Sequence, residues 1–359
     1  MVSLLVPTMN RPGFVERLLC YYAKLGFQGS ICIADSSTSA EAERTKRAIA
    51  ASRDSLDIIY REHPYLGAAE SLQQLLDSVP TRYAALVGDD DFLVPAALQE
   101  CALFLDTHPD YSAAHGVAAV VYPEAARPSE PGEWAASYYP QPVLEEDHAS
   151  QRLLRLLSDY SVGLFSVHRI ETWRRMYKDV HIVRDKTFSA ELLPCCLSAV
   201  EGAIKELDCL YLVRQDHSRR YLLPDLYDWI TTPDWLSSYQ SFRDSLAQAL
   251  VRQEEVSIET ARATVKQAFW SYLAKALGAN WEAQCALANP SPRNRLREAL
   301  RAVPGARQVW HMLLSPRPER RRVLSLKTLR SPTSPYHKDF VPIYEAITEV
   351  PAELLPRTP

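Results

Sequence analysis

Three aspartates stand in a row, Asp89, Asp90 and Asp91, directly behind an apolar stretch at 83–87. Ionised carboxylates this close repel one another, so the cluster calls for a bound cation, basic partners or open access to water. A further acidic residue, Asp35, closes the apolar stretch that begins at Ser30, and Pro7, Thr8, Asn10 and Arg11 follow the first apolar run. A carboxylate can accept a hydrogen bond from a base N–H and an arginine can pair with phosphate, so these residue types suit a nucleotide. The same residues also serve as ordinary turn formers and solvated charges. The fingerprint G-x-G-x-x-G is absent after the first run, and the phosphate loop G-x-x-x-x-G-K-[ST] is absent throughout. Those absences argue against a nicotinamide dehydrogenase and a P-loop kinase.

Something must bring these residues together. Apolar runs at 3–8, 30–37, 56–62 and 83–92 alternate with helical periodicity at 11–26, a polar helix-prone stretch from Ser39 to Ser52 and a helix opened by Gly67. Repeated strand–helix units imply a mostly parallel α/β sheet with helices on both faces, and such sheets bind ligands beyond the carboxyl ends of their strands. Pro7, Thr8, Asn10, Arg11, Asp35, Gly67, Asp89, Asp90 and Asp91 should therefore share one rim.

Further along, residues 122–147 carry five prolines and little periodicity, which suggests a long surface excursion. Helices are expected at 148–160, 169–177 and 187–201, with strands at 161–169 and 208–217. Beyond residue 222 the pattern becomes helical, at 234–253, 257–278, 280–288 and 293–303. The expected division is 1–222 for a nucleotide-binding catalytic domain, 223–314 for a helical region and 315–359 for an extended proline-rich, basic tail.

The chain of 359 residues is 47% hydrophobic and 23% charged, with a formal net charge of −4, so nothing general attracts it to nucleic acid. Seven cysteines without C-x-x-C spacing read as buried free thiols of a reducing compartment. The amino terminus lacks the basic and apolar regions of a signal peptide, and no apolar stretch approaches the roughly 18 residues of a membrane span. A cytoplasmic protein is expected.

V-P-T-x-N-R-P after the first strand, the acidic end of "IADSS" and the "GDDDF" turn occur in an order and at separations that resemble a GT-A glycosyltransferase of the family-2 type. The resemblance covers residues 1–220 and is clearest over the first 95. It implies a Rossmann-like sheet, a nucleotide-sugar donor, UDP-linked by preference, and Mn²⁺ or Mg²⁺ bridging the diphosphate and the aspartates. By the family's pattern Asp89 faces the donor, Asp91 binds the metal, and Asp90 could take either role. A histidine after the later strand, here His217, joins the metal or the diphosphate, with Arg219 and Arg220 placed to pair with phosphate. A general base is expected about a hundred residues beyond the metal motif. Glu191 occupies that position beside Leu192, Leu193 and Pro194, which could desolvate it, and Asp185 is the alternative.

The implied acceptor is a glycan, a lipid-linked sugar or a protein, and a homo-oligomer is compatible with the sequence. The basic run 317–330 could also seat the chain on the inner face of an anionic membrane. Two other readings compete. A nucleotidyltransferase would show a glycine-rich basic loop where this chain has "PTMNRPGF". A catalytically silent sugar-binding protein would explain why the family's usual acidic pair is reduced to Ala190-Glu191.

Overall fold

The computed structural model describes residues 1–123, 134–217, 226–288 and 324–348. Its first half follows the expected alternation: β1 (Val2–Thr8), α1 (Pro12–Lys24), β2 (Ser30–Asp35), α2 (Ser39–Ser52), β3 (Asp57–Glu62), α3 (Ala68–Leu76) and β4 (Tyr83–Leu86). These strands run parallel in the order β3-β2-β1-β4. Asn10 turns the chain from β1 into α1 with a φ of 57°, a left-handed conformation that asparagine tolerates. Pro12 then starts the helix with a ring already set to helical φ.

The second half contains β5 (Phe92–Leu93), α4 (Pro95–Thr107), β6 (Tyr111–Pro123), β7 (Trp134–Tyr139), α5 (Ala149–Ser158), β8 (Val167–Arg169), α6 (Ile170–Tyr177), α7 (Leu193–Glu201) and β9 (Ala203–Gln215). The sheet continues from β4 as β8-β6-β9-β5, with β7 paired to β6. Strands β6 and β9 run with the first four, while β5, β7 and β8 run against them. Six of the nine described strands thus point one way, and their carboxyl ends share an edge.

Alternation along β1 explains the layers. Leu4 and Val6 face one hydrophobic cluster with α1 and α4, and Leu5 faces the other with α3, α5, α6 and α7. The second cluster also receives α9 (Trp235–Glu254) and α10 (Ile258–Ala288), which follow the short α8 (Leu226–Ile230). Helices cover both faces, as the sequence implies.

Several local expectations differ. The proline-rich stretch 122–147 contains β7, because β6 offers it a hydrogen-bonding edge. Only 167–169 of the run 161–169 is strand, and it is antiparallel to β4. The helices read at 257–278 and 280–288 form one continuous α10, while the helix read at 293–303 lies outside the described residues. Within the tail expected to be extended, α11 (Leu326–Arg330) and α12 (His337–Thr348) are helical. Phe340, Ile343 and Ile347 recur at helical spacing, are fully buried and join the cluster around α1. Ile343→Val should therefore lower unfolding free energy by roughly 1 kcal/mol, measured by denaturant titration. The first half of the basic run 317–330 and the boundary near 222 lie outside the described residues. No helix among the described residues is long and apolar enough to cross a membrane.

Candidate active site

Register brings the rim together. Thr8 is the partner of Asp35, and Asp35 is the partner of Glu62, so the carboxyl ends of β1, β2 and β3 lie level. Strand β1 outruns β4 on the other side, where Leu5 pairs with Leu86. The turn 88–91 after β4 consequently lies beside Thr8, whose hydroxyl donates to Asp89 Oδ2 at 2.7 Å. Gly88 keeps the turn tight, since a Cβ there would stand 2.6 Å from Asp90 Oδ1.

Asp89, Asp90 and Asp91 are 2%, 6% and 1% exposed, so water does not relieve their repulsion. Arginines do. Arg11 contacts Asp89 Oδ1 at 2.9 Å and Asp90 Oδ2 at 2.6 Å, Arg17 donates to the Asp90 carbonyl at 3.0 Å, and Arg214 donates from Nε to Asp91 Oδ2 at 2.9 Å. Burial pushes the Asp89 carboxyl up against the pull of Arg11, and burial with the adjacent Asp90 charge raises Asp91 against the pull of Arg214. Burial acts upward on Asp90 too, but hydrogen bonds from His217 and Arg11 more than offset it and hold that carboxyl well below its ordinary range.

The metal role expected of Asp91 does not match its surroundings. Its Oδ2 meets Arg214 and its Oδ1 accepts from the Gln215 backbone N–H at 3.1 Å. It is Asp90 that meets His217, with Oδ2 2.8 Å from Nε2. A carboxylate oxygen and an imidazole nitrogen at one point form a donor pair suited to Mn²⁺ rather than Mg²⁺. Among the described residues no group of three His, Cys, Asp or Glu side chains is gathered to hold a metal. An ion at this pair would therefore draw its other ligands from substrate oxygens and water. Arg11 Nη2 stands at the same point, 3.1 Å from His217 Nε2. Beneath it, Phe14 stacks on His217 with ring centroids 4.9 Å apart and lies 4.4 Å from the Arg11 guanidinium carbon.

The other rim residues form a supporting network. Asp35 is 1% exposed and accepts from the Ser37 N–H at 2.8 Å and the Tyr60 hydroxyl at 2.9 Å. Asn10 links the two neighbouring loops by donating its N–H to Ser37 Oγ at 2.7 Å and accepting from the Thr38 N–H at 2.9 Å. Pro7 sits within β1 opposite Ala34. Gly67 caps α3, and Ser71 one turn later ties that helix to Ser36 at 2.7 Å.

Glu191 lies on a π-helical turn (Phe188–Leu192) that runs directly into α7. Pro194 has no N–H to offer the carbonyl of Ala190, which instead accepts from the Tyr177 hydroxyl at 3.2 Å. The widened turn leaves Glu191 half-buried, with Oε1 accepting from Tyr160 at 3.1 Å. Burial raises the Glu191 carboxyl, and the Tyr160 hydrogen bond and the Arg214 guanidinium pull it back. Arg214 thus senses both Asp91 and Glu191. Asp185 is engaged structurally: its Oδ1 accepts from the Phe188 N–H at 3.1 Å and from Trp229 Nε1 at 2.9 Å.

Arg17, Arg214 and Tyr60 border the candidate site and were not read from the sequence. Arg17 lies three residues after Phe14 along α1, and Arg214 directly follows the buried apolar run 210–213 of β9. A charge bordering an apolar run can announce a buried partner. Arg219 and Arg220 lie outside the described residues.

No protein-family model matches the chain, and no curated protein matches it. The chain is similar in structure to glycosyltransferases. One example is S. aureus TarS 1–349 in complex with UDP-GlcNAc, at 16% identity and a TM-score of 0.42, covering 77% of this chain and 92% of that one. A second is the mannosyltransferase PcManGT from Pyrobaculum calidifontis with GDP-Man and Mn²⁺, at 17% identity and a TM-score of 0.42, covering 87% and 83%. A third is glucosyl-3-phosphoglycerate synthase from Mycobacterium tuberculosis with phosphoglyceric acid, at 13% identity and a TM-score of 0.33, covering 72% and 81%.

Proposed function

We propose that the chain is an inverting glycosyltransferase that moves a sugar from a nucleoside diphosphate, preferentially UDP, to an acceptor hydroxyl. The observation carrying this reading is the convergence of Thr8, Arg11, Asp35, Asp89, Asp90 and His217, from four separate stretches of chain, on the carboxyl edge of one sheet. That edge is where α/β sheets hold nucleotides. In this reading Asp35, which accepts from Tyr60, faces the base, and Arg11 faces the diphosphate's negative charge.

In the transfer step Glu191 removes the proton of the acceptor hydroxyl as its oxygen attacks the anomeric carbon. The bond from that carbon to the β-phosphate oxygen breaks, and the nucleoside diphosphate leaves with the electron pair. A divalent ion held by Asp90 and His217 would, when bound, offset charge on the departing diphosphate. Arg11 and Arg17 hold the aspartates in place and orient them toward that edge.

UDP and GDP, each with and without Mn²⁺, test the reading through thermal stabilisation of the full chain. A nucleotide at a hundred times its Kd should add about 2.7 kcal/mol, and Asp35→Ala should weaken nucleotide binding about tenfold or more. Stabilisation by neither nucleotide would overturn the assignment. Nucleotide binding without donor hydrolysis or transfer would favour the silent binding protein.

A further inference from the structure

Two large apolar side chains stand in the open at the edge that gathers the site, and folding explains neither. Met9, directly after β1, is 60% exposed, and Tyr65, in the loop after β3, is 100% exposed. Tyr65 also carries backbone strain. Leu66 donates its N–H to the His63 carbonyl at 3.2 Å, closing a turn with Pro64 second and Tyr65 third. A proline second and a positive φ third mark a type II turn, whose third position favours glycine. Tyr65 adopts a φ of 70° there. Elsewhere among the described residues, positive φ outside glycine has a local reason: asparagine tolerates it at position 10, and Glu255 closes α9. Strained residues whose side chains add nothing to the core cluster at ligand clamps.

Hydrogen bonds fix where the two side chains stand. The residues flanking Met9 are tied to the segment after β2, since the Thr8 carbonyl accepts from the Ser36 N–H at 3.0 Å and the Asn10 N–H donates to Ser37 Oγ at 2.7 Å. On the other side, His63 donates its N–H to the Asp35 carbonyl at 2.8 Å and so anchors the turn that carries Tyr65. The strand order β3-β2-β1 therefore sets Tyr65 and Met9 on opposite flanks of residues 35–37. Two strand spacings amount to roughly 10 Å, which leaves room for one planar ring touched by a side chain on each face. Asp35, between them, is 1% exposed and spends Oδ1 on the Ser37 N–H and Oδ2 on the Tyr60 hydroxyl. It braces this edge from beneath, and the exposed grip falls to its neighbours.

We infer that Tyr65 and Met9 form a clamp for the nucleobase, with Tyr65 stacking on one face of the ring and the Met9 thioether lying on the other. An aromatic face and a polarisable sulfur suit a flat π-system whatever its hydrogen-bonding edge. The clamp rests on the nucleotide-binding half of the proposed function. Calorimetric titration of the full chain with UDP, GDP and inorganic diphosphate, each in Mn²⁺, tests it in the parent and in Tyr65→Gly, Tyr65→Phe and Met9→Ala. Tyr65→Gly should melt no lower than the parent, because glycine relieves the turn, yet bind nucleotide about tenfold more weakly, the loss expected of one base–aromatic stack. Tyr65→Phe should keep the parent's nucleotide affinity, and Met9→Ala should lower it. Whatever affinity inorganic diphosphate shows should be the same in all four chains. Affinity lost without stability lost excludes a folding defect as the cause. Unchanged nucleotide affinity in Tyr65→Gly, a loss that diphosphate shares, or a lower melting temperature in that variant would overturn the clamp and leave the nucleotide reading intact. Binding of neither nucleotide to the parent would overturn that reading itself, and the clamp with it.

Discussion

Glu191→Gln is expected to lower kcat by about 10² to 10⁴-fold while leaving donor affinity unchanged, because glutamine keeps the shape and the Tyr160 hydrogen bond but cannot take up a proton. A change in KM alone would mark a residue that only holds substrate. Two further readouts separate the base from a structural carboxylate. Burial raises Glu191 in the folded protein, so the acid limb of kcat/KM should lie at a higher pH than an ordinary glutamate would give, and it should vanish in the variant. The stability sign follows the same shift. A carboxyl whose folded value is raised favours the folded state below its unfolded value, and that contribution is lost as pH rises through the raised folded value. At neutral pH the ionised Glu191 is therefore a cost, and Glu191→Gln should melt at a higher temperature than the parent. A variant that loses activity and melts lower would not be explained by removal of a base.

Arg11→Met should be the most destabilising change in the aspartate cluster. It removes the one guanidinium among the described residues that contacts both Asp89 and Asp90, which are 2% and 6% exposed, and leaves them without that partner. Breaking a buried ion pair from one side costs about 3 to 5 kcal/mol, read here as a fall in denaturation midpoint. The variant also tests the donor pair. If Asp90 and His217 can hold a divalent cation where Arg11 Nη2 stands, Mn²⁺ should restore more of the melting temperature of Arg11→Met than it adds to the parent. Equal responses to Mn²⁺ would mean that the pair does not take the ion.

How much of this was legible depends on what kind of signal each feature leaves. Strands β1 to β4 and helices α1 to α3 announce themselves by period, and their polar ends mark the rim. Strand β6, "YSAAHGVAAVVYP", does not, since alanines, a glycine and a fully buried His115 blur a strand that is apolar on both faces. Strand β7 is hidden by neighbouring prolines and exists because β6 pairs with it. Within the site, three identical aspartates carry no information about direction. The turn closed by the Asp91 N–H on the Gly88 carbonyl at 3.1 Å sends Asp90 toward His217 and Asp91 toward Arg214, a distinction of geometry rather than residue type. The arginines that offset the cluster were readable in principle as charges bordering apolar runs. The π-helical turn under Glu191 leaves only Pro194 as its trace.

The packing of α12 has a consequence for how the molecule is made. It seats on α1 and β9, the two elements that present Arg17 and Arg214 to the aspartates, yet more than three hundred residues separate Lys24 from His337. At a ribosomal pace of roughly 5 to 20 residues per second, that interval lasts about 15 to 60 s. Throughout it, the nascent chain carries the apolar faces of α1 and then β9 without their final cover, and a chain stalled before residue 337 keeps them bare. Such an intermediate is a substrate for holdase chaperones, and co-translational chaperone occupancy should fall once α12 clears the exit tunnel.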